Sequence, residues 1–322
     1  MTDAWTWHGG SIEAARQHFG DGDWIDLSTG INSQPWPVAA GMAFDWQRLP
    51  GMQALARLEA VAAAFFGVDA RFVCAVPGTE IGLRLVGALV DGPARHVAPG
   101  YRTHGAMIAG SDPVDWHEAQ DATGTLILAN PNNPDGRAIP ADTMRDLLAR
   151  RDGWLLVDEA FADADPALSI AASVDDARKL IVFRSFGKFF GLAGVRLGFV
   201  IGPQAIAAML RERIGAWPLS AAAIAIGTAA YADAGWIAAT RRRLPEAAAT
   251  LDALLLRCGF RPLGACPLFR LIETGDAHAL FDRLARRAIL TRPFAAQPHW
   301  LRIGLPADSD ALARLGAALA NG

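Results

Sequence analysis

Lysine is nearly absent from this 322-residue chain: of its 30 Lys and Arg residues only two, Lys179 and Lys188, are lysines. Positive charge comes almost wholly as guanidinium, and no basic stripe gives the electropositive footprint of a nucleic-acid binder, so nucleic acid is not an expected partner. The single basic run, Arg241-Arg242-Arg243, reads as a solvated helix face. Cysteine is scarce as well. Cys74, Cys258 and Cys266 are odd in number and scattered, which excludes a disulfide framework or zinc cluster and fits a reducing, cytoplasmic setting. The most apolar stretch, 219–232, is alanine-rich and too short to span a bilayer, and the N-terminus lacks the basic-then-apolar order of a signal peptide. A soluble protein without a membrane partner is expected. With 52% hydrophobic residues and a net charge of only -3, the chain can bury a large core, and its length suggests one large and one small domain.

What is present is an alternation of short β-rich runs with helical patterns between about residues 70 and 205, the pattern of a mainly parallel sheet covered by helices. Residues 72–76, 96–98, 125–129, 154–157, 180–183 and 197–201 read as strands. Five of them end in polar or glycine-bearing turns: Pro77-Gly78-Thr79-Glu80, Pro99-Gly100-Tyr101, Asn130 to Gly136, Asp158-Glu159 and Ser185-Phe186-Gly187-Lys188. In open α/β sheets ligands bind at the carboxyl ends of strands, so these turns converge on one expected site. After Pro218 come long alanine-rich helices, with Pro245 an expected kink, and then mixed strands and helices. The reading is an α/β large domain over residues 36–218. A small α+β domain takes 219–322, and the N-terminal segment 1–35 drapes over another part of the structure.

Each turn taken alone is ambiguous. Gly78-Thr79 can be a phosphate cradle at a helix N-terminus or a plain strand-to-helix turn. Asp158 can meet a protonated pyridine nitrogen or cap a loop. Asn133, in Asn130-Pro131-Asn132-Asn133-Pro134-Asp135-Gly136, can donate to a phenolate oxygen or hold a turn. Lys188 is the odd one: it stands in an apolar, glycine-punctuated stretch of a chain that otherwise uses arginine, and far more readily than an arginine it can lose its proton and, as a neutral amine, condense with an aldehyde. Ser185 and Arg196 flank it as candidate phosphate ligands.

Together, NNPDG, VDEAF and SFGKFFGLAGVRLG in this order make the chain resemble the fold-type I pyridoxal 5′-phosphate (PLP) enzymes of the class I/II aminotransferase superfamily. The resemblance implies that Lys188 carries the cofactor aldehyde, Asp158 pairs with the ring nitrogen, and Asn133 contacts the phenolate. Gly78, Thr79, Glu80, Ser185 and Arg196 would surround the phosphate, Tyr101 would stack on the ring, His104 would buttress Asp158, and Arg302 would take a substrate carboxylate. It also implies a homodimer with PLP at the interface, although Leu49 stands where the superfamily often has a tyrosine reaching the neighbour's phosphate.

His8-Gly9-Gly10, the segment Asp26-Leu27-Ser28 to Asn32, and Phe161 where many aminotransferases carry tyrosine resemble one branch, the L-threonine O-3-phosphate decarboxylases of cobalamin biosynthesis. That branch implicates His8, Gly9, Asn32, Asn133, Arg292 and Arg302 in substrate binding. The small-molecule substrate expected is a phosphorylated amino acid, and no metal is expected. The alternative is an aminotransferase of the histidinol-phosphate type.

Overall fold

The computed structural model describes residues 4–38, 42–90 and 92–320. Its strands, in chain order, are β1 (Ile25–Asp26), β2 (Val73–Val76), β3 (Ala94–Val97), β4 (Asp112–Val114), β5 (Thr125–Ala129), β6 (Leu155–Asp158), β7 (Leu180–Ser185), β8 (Gly198–Ile201), β9 (Pro262–Leu263), β10 (Phe269–Glu273), β11 (Ile289–Leu290), β12 (Arg292–Phe294) and β13 (Gln297–Gly304). The chain divides into two compact units.

The larger unit comprises Pro35–Asn133 and Arg137–Thr240. Its seven-stranded sheet has the order β2-β8-β7-β6-β5-β3-β4. The pairs among β4, β3, β5, β6 and β7 are parallel, and only β8 runs against its neighbours, β7 and β2. Strands β5, β6 and β7 are mostly apolar and buried along nearly their whole length, as a parallel sheet covered on both faces requires. One face meets a core of Cys74, Leu83, Ile127, Leu156, Ile181 and Val200. Elsewhere in the unit Tyr231 joins Phe65, Phe66, Phe186, Phe190 and Phe199 in an aromatic cluster with ring centroids 4.9–5.6 Å from its own. That cluster explains a departure from the expected boundary at 218/219. Helix Ala221–Ala232 packs against helix Met52–Phe66, where a side chain at Gly227 would strike Leu58 and Leu197, and so it belongs to the larger unit. The division falls within helix Ala234–Arg257, which continues through Pro245.

The smaller unit comprises Met1–Gln34, Pro134–Gly136 and Arg241–Gly322. It is α+β: an antiparallel sheet β12-β13-β10-β9, a parallel pair β1-β11, and helices Ile12–Phe19, Ala277–Ala285 and Ser309–Ala320. The N-terminal segment is built into this unit. Leu27 N donates to Leu290 O, Gly304 N donates to Leu27 O, and buried Trp5 packs on Phe19 and Phe281. Among the described residues no single helix is long and apolar enough to cross a membrane.

Candidate active site

Because β2, β3, β5, β6 and β7 point the same way, their carboxyl ends present Gly78, Tyr101, Asn130 to Asn133, Asp158 and Ser185 along one edge of the sheet. At the end of β2, Gly78 adopts φ 86° and caps helix Thr79–Gly87. Two requirements meet there. The positive φ favours glycine, and a Cβ would sit 2.5 Å from Arg196 Nη2. Arg196 itself is left-handed, with φ 57°, so the backbone at both ends of this contact is set to bring a guanidinium against the start of a helix. The N–H groups of the first helical turn lack helix carbonyls, and with Arg196 beside them the arrangement suits a phosphate. Thr79 Oγ1 donates to Arg184 O at 3.1 Å, so its single hydroxyl proton is spent, and its backbone N–H is the group left to face an anion.

Glu80 has a different task from its neighbours. Its Oε2 accepts from Tyr101 OH at 3.0 Å and from Thr103 Oγ1 at 2.8 Å, and its Oε1 accepts from Arg84 Nε at 2.9 Å. Burial alone would raise this carboxyl, but the hydrogen bonds from Thr103, Arg84 and Tyr101 outweigh it and hold it below the usual carboxylate range. Burial and then the Glu80 charge push the Tyr101 phenol up, so Tyr101 stays a neutral ring held by its hydroxyl.

Asp158, at the end of β6, is 7% exposed. Its Oδ1 accepts from Ala160 N at 3.0 Å, and its Oδ2 lies 3.0 Å from Nε2 of fully buried His104. An ionised carboxylate only accepts, so Nε2 carries the proton of this bond. The asparagine-rich turn separates into parts. Asn130 bonds both N–H and C=O of Ile139 through its side-chain amide, and Asn132 Nδ2 donates to Pro99 O, so both serve the turn. Asn133, midway along it, is half-buried. Lys188 is also half-buried, among the fully buried Phe186, Phe189 and Phe190, with Nζ 5.7 Å from the centroid of Phe161. The whole set fits PLP: an amine in an apolar setting for the aldehyde, a buried carboxylate for the ring nitrogen, and a glycine cradle with an arginine for the phosphate.

The smaller unit carries the other candidates. On β12 and β13, Arg292 and Arg302 are directly opposite each other. Like charges across a strand pair repel, so this pairing calls for an anion. Arg302 Nη2 donates to Ser28 O at 2.7 Å, and Arg292 Nη2 donates to Trp7 O at 3.2 Å. Burial, then the charge of Arg292, pushes the Arg302 guanidinium down to about 9, against upward pulls from Cys266 and Asp26. His8 is exposed; Gly9 follows, where a Cβ would lie 2.5 Å from Ser28 O, and Gly10 N donates to Ser28 Oγ at 2.8 Å. Ser28 Oγ in turn donates to Asp26 Oδ1 at 2.5 Å. The HGG and DLS segments are thus one hydrogen-bonded assembly. Asn32 is 2% exposed, and its Oδ1 accepts from Gln34 N at 3.1 Å and from Arg243 Nη2 at 2.9 Å. Arg243 corrects the solvated-face reading of residues 241–243: only Arg242 is exposed, and Arg243 reaches back across 211 positions to a candidate substrate residue. Helical spacing alone held no signal for that contact.

The mixed sheet, the glycine cradle and the lysine at the end of β7 define a PLP-binding fold of the aminotransferase type. Residues 112–318 match the family aminotransferase class I and II, and the chain belongs to it. It is 40% identical to the threonine-phosphate decarboxylase of a Sinorhizobium species, with 97% of each chain covered. It is 41% identical to the threonine-phosphate decarboxylase of Pseudomonas aeruginosa, over 97% of this chain and 96% of that one. The histidinol-phosphate aminotransferase of Sinorhizobium meliloti, solved in complex with PLP, superposes with a TM-score of 0.84 at 22% identity, covering 97% and 94% of the two chains, and so shares the fold.

Proposed function

We propose that the chain is a PLP-dependent carboxy-lyase that converts L-threonine O-3-phosphate to (R)-1-amino-2-propanol O-2-phosphate and CO2, supplying the aminopropanol linker of cobalamin. The observation that carries this reading is the assembly in the smaller unit: two arginines opposed across one strand pair, joined through backbone carbonyls to the HGG and DLS segments. A substrate with a phosphate at one end and a carboxylate at the other presents the charges that such a pair calls for. The near full-length identity to proteins named threonine-phosphate decarboxylase supports it.

When bound, PLP supplies an electron sink for the pair of electrons left on Cα as CO2 departs. The rest falls to the chain's own residues. Lys188 would hold the cofactor aldehyde at rest and, once displaced by the substrate's amine, would be the free amine at hand to return a proton to Cα. Asp158, oriented by His104 and Ala160 N, would keep the ring nitrogen protonated. Gly78, Thr79, Ser185 and Arg196 would hold the cofactor phosphate, Tyr101 would brace the ring, and Asn133 would meet the phenolate oxygen. His8, Gly9, Asn32, Arg292 and Arg302 bind the substrate. Anchoring the substrate by its phosphate would leave its carboxylate free to depart as CO2.

The exposed apolar residues Trp46, Leu49, Met52 and Trp217 of the larger unit, each more than half exposed, fit a second copy of the chain, so a homodimer is part of the proposal. So is a cytoplasmic location, consistent with the three free cysteines. Light scattering on the purified protein tests the dimer: a monomer at micromolar concentration would remove it. For the activity, protein supplied with PLP and L-threonine O-3-phosphate is expected to release CO2. Formation of a keto acid only when 2-oxoglutarate is added would identify an aminotransferase of the histidinol-phosphate type instead.

A further inference from the structure

Behind the cofactor-facing edge of the large sheet lies a charged cluster that the proposed chemistry does not use. Arg184 is 2% exposed, and its Nη1 donates to Glu159 Oε2 at 2.8 Å and to Ser169 Oγ at 3.1 Å, while Nη2 donates to Asp163 Oδ1. Glu159, fully buried, also accepts from Ser169 Oγ at 2.5 Å and from Ile170 N at 2.8 Å. The Arg184 guanidinium rests 4.7 Å from the Phe66 ring centroid. Isolated ion pairs of this kind gain little for the fold, because desolvation cancels most of their attraction.

Its position gives it a use. Successive residues of a strand face opposite ways, so Glu159 lies behind Asp158 and Arg184 lies behind Ser185. Glu159 N donates to Phe183 O at 2.9 Å, which extends the β6–β7 ladder one residue past Asp158. The Arg184–Glu159 bond therefore ties the last residues of two neighbouring strands from the far side. The carbonyl of Arg184 also accepts the Thr79 hydroxyl at 3.1 Å, which fixes the start of the helix that follows Gly78. One residue thus touches three cofactor-facing segments: the Asp158 end, the Ser185 end and the Gly78-Thr79 cradle.

We propose that Arg184, clamped by Glu159 and Asp163, is a positioning residue that sets the spacing between the ring-nitrogen carboxylate and the phosphate cradle. The inference rests on the reading of that edge as a PLP site. The test uses Arg184→Met, Glu159→Gln and the apolar triple variant Arg184→Met/Glu159→Leu/Asp163→Leu, which leaves no uncompensated buried charge if the single changes fail to fold. PLP affinity of the apo proteins, the pH titration of the bound cofactor's absorbance, and the apo melting temperature are measured. PLP is expected to bind about tenfold to a hundredfold more weakly, the range for outer-shell partners of a bound group, with a displaced titration midpoint and a near-wild-type melting temperature in the triple variant. A triple variant that binds PLP with wild-type affinity and titration overturns the proposal. So does one that cannot fold, since the cluster would then serve the fold alone. Failure of the wild-type protein to bind PLP would instead remove the cofactor reading itself.

Discussion

The two units hold their functional groups by different means. In the larger unit the candidate cofactor residues are fixed by side chains that bond one another at the ends of strands: His104 to Asp158, Tyr101 and Thr103 to Glu80, and Arg184 to Glu159 behind them. In the smaller unit the arginines bond main-chain carbonyls, Arg302 to Ser28 and Arg292 to Trp7. In the first arrangement the side chains hold one another before any ligand arrives, which suits a resident cofactor. The second concentrates like charge, one of its members desolvated, and would gain from an arriving anion. On the proposed function the difference would separate a site built to keep its occupant from one built to take and release it, and changes in the two units should have separable effects.

The largest effect is expected in the larger unit. Lys188→Ala should lower kcat by about 10⁴-fold or more, as removal of a covalent catalyst does, and the protein should lose the absorbance of lysine-linked PLP. Residual decarboxylation near the wild-type rate would break the assignment. Asp158→Asn keeps the shape and removes the charge. A drop of about 10²-fold to 10³-fold in kcat with little change in KM is expected, the scale for one electrostatic group acting on developing charge. If KM rose while kcat held, Asp158 would belong with the substrate-binding groups and the division between the units would fail.

The larger unit was also the more legible one. Its central strands β5, β6 and β7 carry apolar runs and its candidate groups sit in the turns that end them, so motif and position coincide; Asp158, Ser185 and Gly78 could be placed at strand ends from sequence alone. Strand β4, Asp112-Pro113-Val114, escaped because it is short and largely exposed, with no apolar run to mark it. The smaller unit depends on contacts between distant positions. Nothing local joins Arg243 to Asn32 or Arg302 to Ser28, and helix Ile12–Phe19 is short and buries only Ala15. The buried cluster around Arg184 was hidden for a related reason: Glu159 and Arg184 adjoin cofactor residues but face the other way, and a motif read as a string does not distinguish faces.

In the smaller unit the expected changes are in KM. Arg302→Met and Arg292→Met should each raise KM for threonine phosphate by about tenfold to a hundredfold, the worth of a charged hydrogen bond, while PLP absorbance stays the same. Loss of PLP in either variant would mean that the anion pair serves the cofactor. The pH dependence sharpens this. Arg302 is charged below about 9 and loses its proton as pH rises through that value. Because only the charged form attracts an anion, KM should climb above pH 9 with kcat less affected, and that limb should vanish in Arg302→Met.

The smallest effect should come from Arg243→Met. Arg243 and Gln34 N both donate to Asn32 Oδ1, and this fixes which way the buried amide turns, with its oxygen engaged within the unit. Removing the guanidinium leaves the Gln34 bond, so Asn32 should remain in place but turn more freely. A rise in KM of about fivefold to tenfold is expected, the worth of one neutral-acceptor hydrogen bond, with kcat, PLP affinity and the pH limb of Arg302 unchanged. Asn32→Asp offers the opposite perturbation: it keeps the acceptor facing Arg243 but replaces the donor with negative charge, and should raise KM more than Arg243→Met does. Equal effects from the two would mean that Asn32 contributes only its packing, and the set of groups that choose the substrate would shrink to the two arginines and the HGG turn.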